Sequence, residues 1–303
     1  MLNSEMKPIQ LSLLLICLAL LVGCDRVITV APVPYDGAVS IQSLITPGQV
    51  ATAYIFRAVP YFDASISSNQ LVARTAVVTL TNAENRETLR LDSTFNAVRC
   101  EYDYYFKGQR PVRAGQTYTL TVQVNGQTFT ASATTTQRKA TIDSVGYTSS
   151  YRDVYGEHEG VLVTFTDPVG VGDYYRYQMN RVIPDTVIRA ETVISPCSIG
   201  KTTYVQEVGR SVYDDRNSDG TRQQIAVEPA FKHKQGQVAY IKLLTIDRNI
   251  FQFYDNLDRQ KLAQFNPFVE PVYLTKPGQF GAGAVGVFGA YAVSDSVRFV
   301  YPE

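Results

Sequence analysis

The segment DDRNSDG, residues 214–220, has the D-x-N-x-D-G spacing with which short loops bind a calcium ion. The first three oxygen ligands of such a loop would be Asp215, Asn217 and Asp219. The twelfth position, which needs a bidentate Glu, is Ala226, and the flanking residues are typical of strands rather than helices. We therefore predict a hairpin turn without a metal, and a calcium loop is the alternative.

The two histidines are the other side chains that could do chemistry. His158 in GEHEG is predicted to lie at a hairpin tip, with metal ligation as the alternative. His233 in FKHKQG is predicted to lie in an exposed turn. The chain has no G-x-S-x-G or H-E-x-x-H motif and no Cys–His signature. We therefore predict no catalytic residue and no cofactor, and we expect that the protein is not an enzyme.

Two aromatic clusters could form a stacking surface for a sugar or a peptide. They are Tyr102, Tyr104, Tyr105 and Phe106, and Tyr174, Tyr175 and Tyr177. Tyrosines that alternate along strands more often fill a core and keep their hydroxyls at its rim. We interpret both clusters as core, with a binding surface as the alternative.

The N-terminus predicts export and lipidation. Lys7 precedes an apolar run over residues 11–22, which is shorter than the ~20 residues that cross a bilayer. The run ends in LVGC at Cys24, which resembles the bacterial lipobox. We predict a lipoprotein signal peptide over residues 1–23, a lipid on Cys24 and a tether over residues 24–37. The protein would then be anchored in the cell envelope by its acyl chains.

Composition and charge place the chain among folded, β-rich proteins. Its 303 residues are 45% hydrophobic, which is enough to fill two cores. Lys plus Arg and Asp plus Glu balance at 28 each without a basic stripe, so we expect no nucleic-acid partner. Twenty Tyr and 14 Phe favour strands.

Residues 38–140 are predicted to form a β-sandwich. In TYTLTVQVNGQTFTASA, alternating runs flank Asn125-Gly126, which predicts a hairpin with a type I′ turn. Other predicted strands are 38–45, 52–59, 75–82 and 100–106. The polar segment 134–144 has no apolar periodicity before Ile142, so we place the domain boundary there.

Residues 141–303 are predicted to form a second β-rich domain with one amphipathic helix near 246–262. Its predicted strands are 160–167, 174–183, 223–230, 237–244 and 296–301. One helix face would carry Ile246, Ile250, Phe253, Tyr254 and Leu257. Asp247 would lie at the positive end of the helix dipole.

Cys100 and Cys197 remain after the signal peptide is removed and Cys24 is acylated. Disulfides persist in the compartments that an exported protein reaches. The two cysteines can form a bond only if their Cα atoms lie ~4.4–6.8 Å apart, which the sequence leaves open.

DPVGVGDYYRY (167–177), the aromatic helix and the closing segment GAVGVFGAY together resemble the DUF4249 family of Bacteroidetes lipoproteins. The motif G-x-x-Y-x-L-x-V is carried here by Gly115, Tyr118, Leu120 and Val122. The resemblance implies an Ig-like first domain and a TonB-dependent outer-membrane receptor as partner. It implies no catalytic residue. LTKPGQFGAGAVG departs from the N-x-x-G-x-G form expected before the closing segment, so no role is carried over to that loop.

These observations favour an outer-membrane lipoprotein that acts by binding, as an accessory or ligand-capture partner of such a receptor. Asp25 leaves open which membrane holds it. The alternative is a structural or adhesive envelope lipoprotein whose first domain is a spacer.

Overall fold

The computed structural model of the chain describes residues 37–59, 68–96, 100–136, 138–153, 156–184, 197, 202–265 and 278–302. These residues form a mainly β body, as predicted. Asp36–Glu303 is one compact unit. The predicted signal peptide, Cys24 and the tether up to residue 36 lie outside the described residues. Within the described ranges, no helix has the length and apolar character needed to span a membrane.

The first half of the body is a β-sandwich. Its elements are β1 (Val39–Ile45), β2 (Val50–Arg57), α1 (Ser68–Leu71), β3 (Val77–Thr81), β4 (Arg86–Asn96), β5 (Glu101–Pro111), β6 (Thr117–Val124) and β7 (Gln127–Thr134). One sheet of the sandwich contains β1, β2, β5 and the later residues of β4. The other contains the first residues of β4 together with β3, β6 and β7. Buried side chains at alternate positions, including Ile41, Ile55, Leu120 and Val122, fill the core.

The predicted hairpin is formed by β6 and β7. Val124 pairs with Gln127, and Asn125 and Gly126 between them have φ of 52° and 75°. Both positive values are those that a type I′ turn requires, so this prediction is confirmed. At the start of β6, the Tyr118 hydroxyl accepts a hydrogen bond from the Arg113 backbone N–H at 2.8 Å, as in the tyrosine corner of Ig-like sandwiches.

The second half has three layers. Its elements are β8 (Thr141–Asp153), β9 (Gly156–Thr166), β10 (Tyr174–Pro184), β11 (Thr202–Asp214), β12 (Arg222–Val227), β13 (Val238–Ile246), α2 (Arg248–Phe265), β14 (Ala284–Val293) and β15 (Val297–Val300). In this half, the large sheet contains β11, β10, β13 and β14, with β15 paired to β13. The small sheet β12-β9-β8 packs on it through Val163, Phe165, Tyr177 and Ile241. Helix α2 covers part of the opposite face of the large sheet.

A parallel seam joins the two halves into one sheet. Strand β1 pairs with β14 over seven residues, from Val39 with Ala284 to Ile45 with Ala290. Gly286 lies in this seam with φ of 138°, and a Cβ there would overlap the Ile41 carbonyl oxygen. Strands from both sides of residue 140 therefore belong to one sheet. The predicted division into two domains at that residue stays a prediction.

Helix α2 begins two residues later than predicted and ends at Phe265. Asp247 caps it, because its Oδ1 accepts a hydrogen bond from the Ile250 N–H at 2.9 Å. The other oxygen accepts from the Ala290 N–H of β14 at 2.7 Å. Ile250, Phe253 and Tyr254 pack against the sheet, as the predicted helix face requires.

A disulfide joins Cys100 to Cys197, whose Cα atoms are 5.3 Å apart. Cys100 immediately precedes β5 in the sandwich, whereas Cys197 lies between β10 and β11. The bond is therefore a second link between the two halves of the chain.

Candidate functional site

The DDRNSDG segment meets a second loop at one end of the large sheet. That second loop, Asp167–Asp173, connects β9 to β10, and we call it the valine loop. The two loops are neighbours because β9 pairs with β12 and β10 pairs with β11. The Asp167 N–H also donates a hydrogen bond to the Thr221 carbonyl at 3.0 Å.

Three carboxylates converge where the loops meet. Asp167, Asp215 and Asp219 each place an oxygen within 4.8 Å of the others. Asp215 is fully buried and Asp167 is 1% exposed, whereas Asp219 is the most accessible. Asn217, the middle residue of the predicted calcium loop, is exposed. Asp167 was not predicted as part of this site, because it lies 48 positions before Asp215 in the sequence.

These carboxylates accept hydrogen bonds from backbone amides of the opposite loop. The Gly172 N–H lies 2.9 and 3.1 Å from the two oxygens of Asp215. The Gly170 N–H donates to Asp219 at 2.7 Å, and the Gly220 N–H donates to Asp167 at 2.9 Å. Such charge-assisted bonds are about twice as strong as neutral ones. The acids therefore fasten the two loops together, and we call this arrangement the carboxylate latch.

A fourth acid and an arginine complete the latch. Asp173 Oδ2 lies 3.0 Å from Arg138 Nη2, and the same Nη2 donates a hydrogen bond to the Val169 carbonyl at 3.0 Å. The ion pair does not meet hydrogen-bond geometry, which leaves Asp173 Oδ2 without a hydrogen bond. Burial raises the pKa of Asp173, Arg138 opposes this effect, and the three neighbouring carboxylates add to it.

Asp167, Asp215 and Asp219 are the residues of the described part that could hold a cation. Carboxylate oxygens suit a hard cation such as Ca²⁺, and Asp167 would supply a ligand from outside the D-x-N-x-D-G motif. Each of the three acids already accepts a hydrogen bond from a backbone amide. The latch therefore accounts for the motif as a turn that binds a neighbouring loop.

The latch holds an apolar tip in solvent. Val169 is 84% exposed and Val171 is 74% exposed, and both lie in the valine loop. The residues on either side of Val171, Gly170 and Gly172, donate the amide bonds to Asp219 and Asp215. The backbone is thus fixed on both sides of Val171, while both valine side chains remain largely exposed. Single exposed apolar residues are common, but two on one fastened loop make this tip a candidate contact site.

The two histidines bind carboxylates of neighbouring segments. His158 Nδ1 lies 3.2 Å from Glu228 Oε1, and its Nε2 lies 3.3 Å from Asp153 Oδ1. His233 stacks on Tyr301 with ring centroids 4.0 Å apart, and its side chain is 14% exposed. The segment is exposed at Lys232 and Lys234, as predicted, but the His233 imidazole is partly buried because the Tyr301 ring covers it.

The two aromatic clusters have different roles. Tyr175 and Tyr177 are buried in the core of the second half, which confirms their interpretation as core. Tyr174 stacks on Phe251 of α2 with centroids 4.5 Å apart. Tyr102, in contrast, is 51% exposed and contacts the half-exposed Phe95 edge to face. This part of the first cluster is surface and was wrongly expected in the core.

Arg181 and Glu207 form a buried ion pair that was not predicted from the sequence. Arg181 Nη2 lies 2.7 Å from Glu207 Oε1, and both residues are almost fully buried. Arg181 also donates to the Phe231 and Lys232 carbonyls, which fixes the loop after β12. Its position offered a signal, because Arg181 is in phase with the buried positions of β10.

The comparison with protein families assigns the chain to a family. The profile of a family described as "Domain of unknown function (DUF4249)" matches residues 29–296. The chain belongs to the DUF4249 family. The predicted resemblance is thereby confirmed over most of the chain. The search of curated proteins returned no match. The residues of the DUF4249 motif are structural, since Leu120 and Val122 are fully buried and Tyr118 forms the corner described above.

Proposed function

We propose that this DUF4249 protein is a lipid-anchored protein of the outer membrane and acts by binding, as an accessory partner of a TonB-dependent receptor. The anchor would be Cys24, because LVGC resembles a lipobox and follows a short apolar run. The tether would carry the compact unit Asp36–Glu303 at the membrane surface. The role is non-enzymatic.

The observation that carries the docking role is the valine loop. An apolar tip loses little conformational freedom on binding if its backbone is already fixed, and this lowers the entropic cost of association. Here the carboxylate latch fixes the backbone at Gly170 and Gly172. We infer that Val169 and Val171 enter an apolar recess on the receptor.

The contacts of the buried carboxylates also support a binding role rather than catalysis. General acid–base catalysis needs a side chain within hydrogen-bond reach of a substrate. The carboxylates of Asp167 and Asp215 are instead buried against backbone amides of the neighbouring loop. Their arrangement supports a positioning role.

Docking can be tested by gentle detergent extraction of the tagged, full-length protein from its native envelope, followed by mass spectrometry of co-purifying proteins. We expect a TonB-dependent receptor at near-equal amounts. The double variant Val169→Ser/Val171→Ser should lose it. The matched control Val77→Ser/Val182→Ser changes two half-exposed valines on strands and should retain it. Recovery of the parent without a receptor that is abundant in the extract would favour the structural or adhesive alternative.

Anchoring has its own test. Cells fed an alkyne-labelled palmitate should label the parent but not Cys24→Ala. We expect the variant to leave the membrane fraction. An unlabelled Cys24→Ala protein that remains bound to the membrane would contradict the lipid anchor.

A further inference from the structure

A cleft of about 310 Å³ opens at one end of the sandwich. It lies between the β3–β4 turn, the end of β5 and the segment that leads into β6. Its volume is at the lower end of the range for small-molecule sites, roughly 300–1,000 Å³. The cleft involves no residue of the carboxylate latch or the valine loop.

The floor of the cleft is apolar and fixed. Leu80, Val112 and Tyr118 line it, and each is at most 6% exposed. The Tyr118 ring cannot swing out freely, because its hydroxyl accepts the bond from the Arg113 N–H. An apolar group of one ring or a short chain would find a preformed surface here.

The rim of the cleft carries a cation without an acidic partner. Arg110 donates from Nη1 to the Asn85 side-chain oxygen at 2.5 Å. Among the described residues, no carboxylate lies within ion-pair distance of its guanidinium. The Asn85 oxygen orients the planar guanidinium, and the described part of the chain makes no hydrogen bond to its other donors.

The nearby charges of the rim are already engaged. Arg113 pairs with Glu84 at 2.5 Å. Glu87 Oε2 accepts hydrogen bonds from the backbone N–H groups of Gln109 and Arg110, at 3.1 and 3.3 Å. Arg110 is therefore the charged group of the rim that remains available to a ligand.

We propose that this cleft binds a small organic carboxylate with an apolar body. The carboxylate would lie on the Arg110 guanidinium, whose parallel N–H groups match two carboxylate oxygens. The apolar body would cover Tyr118 and Val112. This inference does not rest on the docking role, because it concerns other residues and can be measured on the isolated protein.

The test measures ligand binding by ¹⁹F NMR, with the purified full-length chain in detergent. The probe is 3-(4-fluorophenyl)propanoate, and the matched neutral ligand is 3-(4-fluorophenyl)propanamide. We expect saturable binding of the carboxylate, about tenfold or more tighter than that of the amide, because a hydrogen bond to a charged group is strong and the amide cannot accept the bidentate pair.

Variants at the rim locate the binding site. Arg110→Gln should reduce the affinity for the carboxylate about tenfold and leave that for the amide unchanged. Arg110→Lys keeps the positive charge but loses the two parallel N–H groups of the guanidinium, so its affinity for the carboxylate should be intermediate. Arg90→Gln changes an exposed arginine of β4 outside the cleft and is the matched control.

Equal affinities of the parent for carboxylate and amide would overturn the proposal, and this comparison needs no variant. The proposal would equally fail if Arg110→Gln bound the carboxylate as well as Arg90→Gln does. N-acetyl-Ala-Phe and its C-terminal amide distinguish two sources of the carboxylate. Tighter binding of the free-acid peptide than of the fluorinated probe assigns the cleft to a peptide C-terminus, and weaker binding assigns it to a free small molecule.

Discussion

The buried carboxylates illustrate how one residue can serve two loops. Burying a charge is costly unless hydrogen bonds replace its hydration. Asp215 meets this requirement with the Gly172 N–H, and Asp167 meets it with the Gly220 N–H and the Tyr175 hydroxyl. The loops are held together because each acid needs a donor from the other loop.

Removal of one acid should loosen the latch. Asp215→Ala leaves the Gly172 N–H without its acceptor, and we expect a loss of about 1–3 kcal/mol in the free energy of unfolding. Asp215→Asn should cost less, since one oxygen still accepts and the repulsion from Asp167 and Asp219 is relieved. Urea-induced unfolding at neutral pH measures both losses. The control Asp295→Ala removes an exposed partner of Lys139 and should cost less than about 1 kcal/mol. A loss for Asp215→Ala no greater than the control's would argue against the latch.

Asp173 predicts a pH dependence. Its pKa is raised above the ordinary value of 3.8, first by burial and then by the neighbouring carboxylates. Between 3.8 and the raised pKa the folded state binds more protons than the unfolded state, so the contribution to stability falls as pH rises through this window. We expect the parent to lose stability relative to Asp173→Asn as the pH rises from below 3.8 through the raised pKa. Urea unfolding of both proteins across this range gives the difference, and a pH-independent difference would contradict the prediction.

Local patterns predicted the elements whose side chains alternate between core and solvent. The Asn125-Gly126 hairpin follows from two positive φ values, and α2 follows from its apolar face. Strand β4 was missed because its sequence RETLRLDSTFN is mostly exposed and lacks an apolar face. Strand β8 was not predicted either, because it begins in the polar segment 134–144 and about half of its residues are exposed. In both, the pairing partners determine the strand, and a local pattern contains no information about them.

The packing of α2 on β14 depends on a glycine. A Cβ at Gly289 would overlap Ile250 and lie 2.7 Å from Asp247 Oδ1, which caps the helix. Ile250 is 1% exposed and has no room to move. We expect Gly289→Ala to cost about 1–3 kcal/mol through overpacking. In the control Gly146→Ala, the new Cβ lies 3.9 Å from Leu162, so the stability measured in urea should change by less than about 1 kcal/mol. Equal effects of the two substitutions would refute this account of the interface.

At the scale of the whole molecule, contacts between distant parts of the chain decide the architecture. The seam pairs β1 with β14, which no local pattern indicated, and the latch joins Asp167 to a loop some fifty positions away. The DDRNSDG turn and the possible bond between Cys100 and Cys197 were predicted from the sequence, but the loop that the turn contacts was not. The spacing of residues along the chain does not determine which strands become neighbours, so the candidate site could be predicted only in part.

The disulfide links the same two halves of the chain as the seam between β1 and β14, but covalently. Cys100 and Cys197 are 97 positions apart, so the bond closes a long loop and restricts the unfolded chain. For a loop of this length the expected stabilisation is about 2–5 kcal/mol. We predict this loss for Cys100→Ser/Cys197→Ser relative to the oxidised parent, measured by urea unfolding of the lipidated protein.

Reduction of the parent provides the control for this variant. The reduced parent and the double variant should unfold at the same urea concentration, because both lack the bond and differ only by a sulfur-to-oxygen exchange. Mass spectrometry of unreduced peptides should show Cys100 linked to Cys197 in the parent. An oxidised parent no more stable than its reduced form would mean that the seam and the two cores alone hold the halves together.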